Sequence, residues 1–283
     1  KWVLENTFSY SNKNYGEAEQ VAAGYILKTY RNFSNNYSSL PEQSSFNISC
    51  NVNFRDPLKT TFLSSGINYV SSNRNIVYEQ NFNGSLETLV ARVLNNSNRS
   101  LAFFSRINKY VITWRTSLSV NASYSFDKAP QLQQNILSNF TNKNLSVGIA
   151  ISSKINSKLT TDYNATGHKY LTNVGIENSR PPIYSIIQKF SINYFPSEKL
   201  VIRVLGDHYY LDVAKIKKQN YFFADFSIWL KSKNKKIDWE LIVQNIFNTK
   251  QFVSAVNSNN TEIISTYQLR NRQILFKAGF RLN

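Results

Sequence analysis

The sequence is poor in the residues that hold together small secreted domains and metal-binding folds. It contains one cysteine, Cys50, and no methionine in 283 residues. A single cysteine excludes a disulfide bond within the chain. Cys50 stands between Ile48 and Val52 in an alternating segment, where we expect a small apolar side chain rather than a reactive thiol.

Long apolar runs are also missing. The longest apolar stretch, at 21–27, is interrupted by Gly24 and is far shorter than the ~20 residues that a transmembrane helix needs. The chain passes from Lys1 directly into a strand-like segment, 2–10, with no initiator methionine or signal peptide before it. We therefore expect no membrane-spanning helix, and we expect the N-terminal part of the natural protein to be missing from this sequence.

The usual catalytic and metal-binding motifs are absent. His168 and His208 have no cysteine or carboxylate at a metal-ligand spacing, and no Gly-x-Ser-x-Gly, P-loop or Gly-x-Gly-x-x-Gly motif occurs. Five acidic residues are candidates to line a lumen, although their spacing selects no glycosidase pair among them: Asp162, Asp207, Asp225, Asp238 and Glu240. The sequence therefore predicts that the protein is not an enzyme and has no cofactor and no catalytic, cofactor-binding or metal site.

Acidic residues are outnumbered by basic ones. The chain has 33 Lys and Arg against 17 Asp and Glu, which gives a formal charge of +16. The basic residues are scattered, and the one dense run, 231–236, lies between two alternating segments and indicates a solvated turn. Without a nucleic-acid-binding motif the charge predicts no nucleic-acid partner, whereas it is compatible with anionic lipid head groups.

A two-residue alternation of apolar and polar side chains is the dominant pattern. At 116–126 the even positions are apolar, apart from Thr116, and the odd positions are serine or asparagine. The same alternation occurs at 46–54, 145–151, 190–194, 237–243 and 274–282. Successive side chains of a strand point to opposite faces, so each segment is a strand with one apolar and one polar face.

Two architectures have strands of this kind. A secreted β-sandwich buries the apolar faces between two sheets, whereas a membrane barrel turns them toward lipid. The polar positions are mostly small, aromatic residues make up 14% of the chain, and only 9 Gly and 6 Pro are present to make sandwich turns. These features favour an antiparallel up-and-down transmembrane β-barrel of about a dozen strands, all-β throughout, with its aromatic residues at the membrane interfaces.

Short and long connections alternate along the chain, as in a transmembrane barrel. Short turns are predicted at 55–58, 108–110, 156–158, 196–199 and 233–236, and longer loops at 34–43, 127–143, 178–182, 214–219 and 253–261. We expect the short turns on the periplasmic side and the long loops on the extracellular side. No ligand-binding residue is fixed by the sequence, but exposed loop residues such as Tyr37, Asn139 and Asn257 are candidates to contact a sugar or peptide.

Several short motifs resemble one receptor family. The C-terminal part pairs Asn245-Ile246-Phe247-Asn248 with Leu269-Arg270-Asn271-Arg272-Gln273, and weaker matches lie at 54–59, 105–110, 119–125 and 221–225. Together they resemble the barrel of a Bacteroidota-type TonB-dependent outer-membrane receptor, of the SusC/RagA-like kind or the kind with a carboxypeptidase-like regulatory domain. Members of that family have about 22 strands around a plug.

The resemblance implies a location and partners. Residues 1–283 would be the C-terminal part of a barrel in the outer membrane of a Gram-negative cell, with the plug domain and N-terminal strands absent. The partners would be outer-membrane lipid, the TonB complex through the missing N-terminal part, and a surface lipoprotein as a further candidate. The imported ligand would be too large for porins: an oligosaccharide, a peptide or a chelated metal. The alternatives are a passive porin-like small barrel that is complete in itself and a secreted β-sandwich binding protein.

Overall fold

The computed structural model describes residues 1–13, 24–35, 40–175, 178–214, 216–231, 237–258 and 261–280. No helix in these ranges is long and apolar enough to cross a membrane. The described chain forms seventeen strands: β1 (Trp2–Lys13), β2 (Tyr25–Thr29), β3 (Asn32–Asn35), β4 (Gln43–Asp56), β5 (Thr61–Asn83), β6 (Leu86–Val111), β7 (Thr116–Gln133), β8 (Ile136–Lys154), β9 (Leu159–Val174), β10 (Asn178–Ser179), β11 (Ile183–Ser197), β12 (Leu200–Val213), β13 (Ile216–Lys231), β14 (Ile237–Gln244), β15 (Gln251–Ser258), β16 (Thr261–Gln268) and β17 (Gln273–Phe280).

Twelve of these strands form one continuous antiparallel sheet in which almost every strand pairs with its neighbour in the sequence. The order is β1-β4-β5-β6-β7-β8-β9-β11-β12-β13-β14-β17, and β2, β3 and β10 pair at its margin. Strands β15 and β16 form a separate two-stranded sheet. The predicted all-β, up-and-down antiparallel architecture of about a dozen strands is confirmed.

The register places the apolar residues of neighbouring strands side by side. Val120 pairs with Ile149 on β8 and with Ile107 on β6, so the three side chains share one face. Val120 and Ile149 are each 44% exposed. Asn121 faces the other side, where its amide fills the space above Gly148. The predicted division into an apolar and a polar face is confirmed by this register.

In the part of the chain that the structure describes, no second sheet covers the apolar face. Residues on it remain substantially exposed on successive strands, among them Ile48, Ile67, Phe103, Val147, Phe190 and Trp239. A sandwich would bury this face between two sheets. The exposed apolar face does not fit the β-sandwich alternative.

The connections alternate between two ends of the sheet. One end, called here the turn end, carries 57–60, 112–115, 155–158 and 198–199, and the segment 232–236 lies outside the described residues. The other end, called the hairpin end, carries the turns at 84–85 and 134–135 and the hairpins β2–β3 and β15–β16. The expected alternation of sides follows from the antiparallel pairing of consecutive strands.

Several predicted loops are strands. The segment 127–143 forms the ends of β7 and β8, joined by a two-residue turn at Gln134 and Asn135, both with positive φ. Pro130 is tolerated there because the pairing of β7 with β6 ends at Lys128 and its pairing with β5 begins at Leu132, which leaves this edge of β7 without ladder hydrogen bonds at 129–131. Most of 253–261 and of 214–219 is also strand, and 178–179 forms β10. The turn expected at 108–110 lies instead at 112–115, because β6 continues to Val111.

The two terminal strands of the sheet each have one unpaired edge among the described residues. β1 pairs only with β4, and β17 pairs only with β14. Trp2 is 62% exposed and Phe8 is 70% exposed. Among the described residues β1 therefore has a free edge on the side opposite β4.

Candidate functional site

The hairpin end holds the larger cavities and the most irregular pairing, so we consider it the candidate ligand-binding end. Strands β5 and β6 extend beyond β4 at this end, and their register shifts between Arg74 and Ile76. Residues 75–95 are called here the β5–β6 extension. The shift is stabilised by Asn96, whose Nδ2 donates to the carbonyl oxygens of Ile76 and Leu94, each at 2.9 Å.

The extension changes its neighbours at this bulge. Below the bulge β6 pairs with β7, whereas above it β5 pairs with the end of β7 in parallel, through Glu79 opposite Leu132. The freed edge of β6 pairs in parallel with β3, through Phe33 opposite Thr88. A bulge increases the local twist of a hairpin, which accounts for this exchange of edges.

Glu79 is the most deeply buried charged residue of the extension, with 1% of its surface exposed. Its Oε2 accepts a hydrogen bond from Arg92 Nε at 2.7 Å, and its Oε1 accepts one from the backbone N–H of Asn135 at 2.9 Å. The Arg92 hydrogen bond is the main cause that holds the pKa of the Glu79 carboxyl below its usual range, against the opposing effect of burial. Glu79 thus ties the β7–β8 turn to the extension.

A second set of polar contacts surrounds Glu87. Its Oε2 accepts from Asn32 Nδ2 at 2.9 Å, its Oε1 accepts from Gln80 Nε2, and Gln131 Nε2 donates to Gln80 Oε1 at 3.3 Å. These contacts join β3, β5, β6 and β7. Beside them lies a cavity of about 830 Å³, called here the polar cavity, lined by residues such as Arg74, Asn96, Asp127, Gln131 and Asn142.

A smaller cavity lies on the polar face beneath the β15–β16 hairpin. Its volume is about 330 Å³, and its walls come from β9, β11, β12, β13 and β15. We call it the aromatic pocket. Phe252 on β15 lies 5.4 Å from the Tyr209 ring and 5.2 Å from the Tyr221 ring, centroid to centroid. The hairpin thus packs on the polar face of the main sheet through an aromatic cluster.

A small hydrophobic cluster adjoins this pocket and fixes the hairpin. Ile183, Leu211 and Val213 are buried together, and Ile216 and Ala255 pack against them. The hydroxyl of Tyr221 accepts a hydrogen bond from the backbone N–H of Val253 at 3.2 Å. The hairpin therefore has both apolar and polar attachments to β11, β12 and β13.

The acidic residues that the sequence proposed for a lumen lie on the polar face. Asp162, Asp207 and Asp225 line one shallow cavity of about 200 Å³, and the pairing of β14 with β13 puts Asp238 and Glu240 on the same face. Asp162 accepts hydrogen bonds from Ser152 and Ser191, and Asp225 accepts one from the backbone N–H of Asn245. Among the described residues no group of three or more metal-ligating side chains is placed to hold a metal ion.

The histidines occupy opposite faces of the sheet. His208 stacks on Phe222 of the apolar face, with ring centroids 4.4 Å apart, and its Nε2 is hydrogen-bonded to Asn220. His168 lines the aromatic pocket and stacks on Tyr170 at 5.7 Å.

Two of the three proposed ligand-contact residues lie near the hairpin end. Asn139 is exposed on β8 opposite Pro130, and Asn257 is on β15 opposite Glu262. Tyr37 lies outside the described residues. Sequence reasoning missed Phe252, Tyr209 and Glu79. The aromatic side chains at 209, 210 and 221–223 were a signal for the first two, whereas nothing in the sequence indicated the burial of Glu79.

Comparison with known proteins gives only distant likenesses. No protein-family model and no curated protein matches this chain. The open form of the ferric-catecholate import receptor Fiu from E. coli K12 is 9% identical with a TM-score of 0.42, covering 85% of this chain and 47% of that chain. The ferric preacinetobactin receptor BauA from Acinetobacter baumannii is 8% identical with a TM-score of 0.36, covering 86% and 48%.

The translocator domain of the autotransporter NalP from Neisseria meningitidis is 9% identical with a TM-score of 0.31, covering 99% of this chain and 88% of that chain. The chain thus spans about half the length of the two receptors. At TM-scores below 0.5 these likenesses carry no functional argument.

Proposed function

We propose that residues 1–283 are the C-terminal barrel portion of a TonB-dependent import receptor of the Gram-negative outer membrane. The observation that carries the proposal is the uncovered apolar face that runs across the twelve-stranded sheet. Soluble monomers rarely expose a contiguous apolar patch larger than a few hundred Å². Lipid is the solvent in which such a face is stable, and the polar face is then the wall of a wet lumen.

The free edges of β1 and β17 support the proposal that this chain is one portion of a larger barrel. No water is present in the bilayer core to satisfy an open edge, so every strand of a membrane sheet needs two partners. We propose that N-terminal strands outside this sequence pair with β1 and β17 and close a larger barrel around a plug. That part would contact the TonB complex and supply the coupling to energy.

The hairpin end is proposed as the extracellular side and the turn end as the periplasmic side. Barrels of the outer membrane have short periplasmic turns and longer extracellular structures. The polar cavity and the aromatic pocket both lie at the hairpin end, where they would meet an incoming ligand. The proposed ligand is an oligosaccharide, a peptide or a chelated metal, and a SusC/RagA-like receptor would take it from a surface lipoprotein.

Transport is proposed in preference to catalysis. Asp162 and Asp225 line a cavity on the polar face, and both accept hydrogen bonds from the surrounding protein. We propose that these hydrogen-bonded carboxylates line a lumen.

An experiment on barrel closure distinguishes a receptor fragment from a small barrel that is complete in itself. Residues 1–283 produced alone and refolded into vesicles are expected to aggregate or to give a trypsin-sensitive product without a heat-modifiable band on gels, because both edges are open. The natural chain with its upstream part should give a heat-modifiable, trypsin-resistant barrel. A resistant, heat-modifiable barrel from residues 1–283 alone would establish the porin-like alternative.

A further inference from the structure

We infer that the aromatic pocket is a binding site for a compact planar group that carries a hydrogen-bond donor, such as one aromatic ring system of a larger ligand. The inference rests on the proposed function for the source of the ligand, since the hairpin end is proposed to face outward. The aromatic pocket has a volume of about 330 Å³, which lies at the lower end of the range of small-molecule sites, about 300–1,000 Å³.

The walls of the pocket select for a planar apolar group. Tyr209, Tyr221 and Phe252 meet at its rim in edge-on and tilted contacts, which leave ring faces and edges for a further aromatic partner. Aromatic pairs in such offset geometries are favourable beyond the area that they bury. Ile187 and Ala255 complete an apolar lining.

Three polar side chains in the pocket have no side-chain hydrogen bond to any other described residue: His168, Ser185 and Ser254. The Nδ1 atom of His168 is buried without a hydrogen-bond partner among the described residues. With the proton of the neutral imidazole on Nδ1, Nε2 would accept a hydrogen bond from a ligand. A pocket that is mostly apolar with a few convergent polar groups is the usual form of a specific small-molecule site.

The site is also built rather than incidental. The β15–β16 hairpin is a separate sheet, yet it is held over the pocket by Phe252, by Ala255 on the cluster of Ile183 and Leu211, and by the Val253–Tyr221 hydrogen bond. The hairpin therefore forms a fixed roof over the inner face of the sheet. A ligand ring would enter between this roof and β9 and β11.

Two matched probes test the inference. 5-Fluoroindole has a ring N–H, and 5-fluoro-1-methylindole lacks it. Both are titrated by ¹⁹F NMR against the natural chain in detergent micelles, with protein-free micelles as the reference. The inference predicts saturable binding of 5-fluoroindole and binding of the methylated probe that is about 2- to 10-fold weaker, as for the loss of one hydrogen bond.

Variants locate the binding. Ser254→Trp fills the pocket and should abolish saturable binding, whereas Ser157→Trp, in an exposed turn at the opposite end, should leave it unchanged. His168→Leu should remove the preference for 5-fluoroindole and retain residual binding of both probes. If Ser254→Trp alters the circular dichroism spectrum, the smaller His168→Leu change decides.

Saturable binding that is equal in wild type, Ser254→Trp and His168→Leu would overturn the inference, and so would binding that follows the detergent concentration alone. Membrane location does not enter this titration. A failure here therefore leaves the barrel assignment untouched, and a failure of the location test below leaves the pocket untouched.

Discussion

At the scale of single residues, Asn245 and Asn248 fix the backbone of the corner after β14 by their conformation and their side-chain hydrogen bonds. Asn245 and Asn248 both have positive φ, at 52° and 55°, a conformation that asparagine tolerates better than most residues. Asn245 Oδ1 accepts from the backbone N–H of Thr249 at 2.9 Å, and its Nδ2 donates to the carbonyl oxygens of Thr249 and Arg270. Asn248 Oδ1 accepts from the backbone N–H of Arg272.

These contacts explain why the two C-terminal motifs occur together. The Asn-Ile-Phe-Asn segment directly follows β14, and the Leu-Arg-x-Arg-Gln segment leads into β17. Arg272 Nε donates to the carbonyl oxygen of Ile246 at 2.9 Å. The corner holds the base of the β15–β16 hairpin and sets the start of the last strand.

Replacing Asn245 with alanine should destabilise the fold by about 1–3 kcal/mol. Alanine tolerates the positive φ at this position less well than asparagine does, and the three hydrogen bonds of the Asn245 side chain are lost. Asn245→Gly keeps the backbone conformation accessible and should lie between wild type and Asn245→Ala. Urea unfolding in lipid vesicles measures the effect, with exposed Asn271→Ala as the matched control. Equal unfolding midpoints for Asn245→Ala and Asn271→Ala would contradict this account of the corner.

The burial and hydrogen bonds of Glu79 predict that the stability of the β5–β6 extension depends on pH. The folded pKa is depressed, chiefly by Arg92, so the ionised carboxylate stabilises the fold above the pKa of the unfolded chain. That stabilisation is lost as the pH falls through the lowered folded pKa. Glu79→Gln should be less stable by about 1–3 kcal/mol at neutral pH, since it leaves buried groups unsatisfied, and its stability should change less on acidification.

Hydrogen exchange of the amides at 75–95 and 129–135, compared at neutral and acidic pH, measures this effect. Glu198→Gln, in an exposed turn at the opposite end, is the control. If the two variants lose protection equally, Glu79 does not hold the extension.

At the scale of elements, the length of the strands was the feature hardest to predict from the sequence. Alternation at 116–126 and 145–151 predicted strands, and both faces were assigned correctly from those segments. The ends of β7 and β8 were missed because 127–143 is polar and contains Pro130, a composition typical of loops. At these strand ends apolar residues fall on both faces, as Leu132 and Phe140 do, so the two-residue period is lost.

The β15–β16 hairpin is also an element that sequence alone did not indicate. Its position on the polar face depends on contacts of Phe252 with residues that are 29–43 positions earlier in the chain, such as Tyr209 and Phe223. No local pattern specifies such a contact. The aromatic pocket could therefore not be predicted, whereas the shared face of Asp162, Asp207 and Asp225 follows from register once the strands are paired.

Phe252→Ala should loosen this hairpin without unfolding the main sheet. Each lost aromatic contact is worth about 0.5–1.5 kcal/mol, and the variant leaves the β14–β17 pairing intact. Limited proteolysis should cut the variant faster within 251–268 than wild type. Phe247→Ala removes an exposed ring and should not change the cutting rate. Equal rates for Phe252→Ala and wild type would show that the aromatic cluster does not fix the hairpin.

At the scale of the whole molecule, the sheet has one apolar face, one polar face and its larger cavities at one end. The consecutive order of strands and the two faces were predicted from sequence because both follow from a two-residue period and short connections. The exchange of edges in the β5–β6 extension could not be predicted, because it arises from a bulge between Arg74 and Ile76 that has no recognisable signal in the sequence.

The direction of the two faces is tested most directly by cysteine accessibility in native membranes. In a Cys50→Ser background, Val120→Cys and Asn121→Cys place single thiols on neighbouring residues of β7 that face opposite sides. A membrane-impermeant maleimide should label Asn121→Cys from the wet lumen and leave Val120→Cys unmodified, and Val120→Arg should destabilise the barrel by about 2–4 kcal/mol at mid-bilayer. Labelling of Val120→Cys with protection of Asn121→Cys would contradict the account.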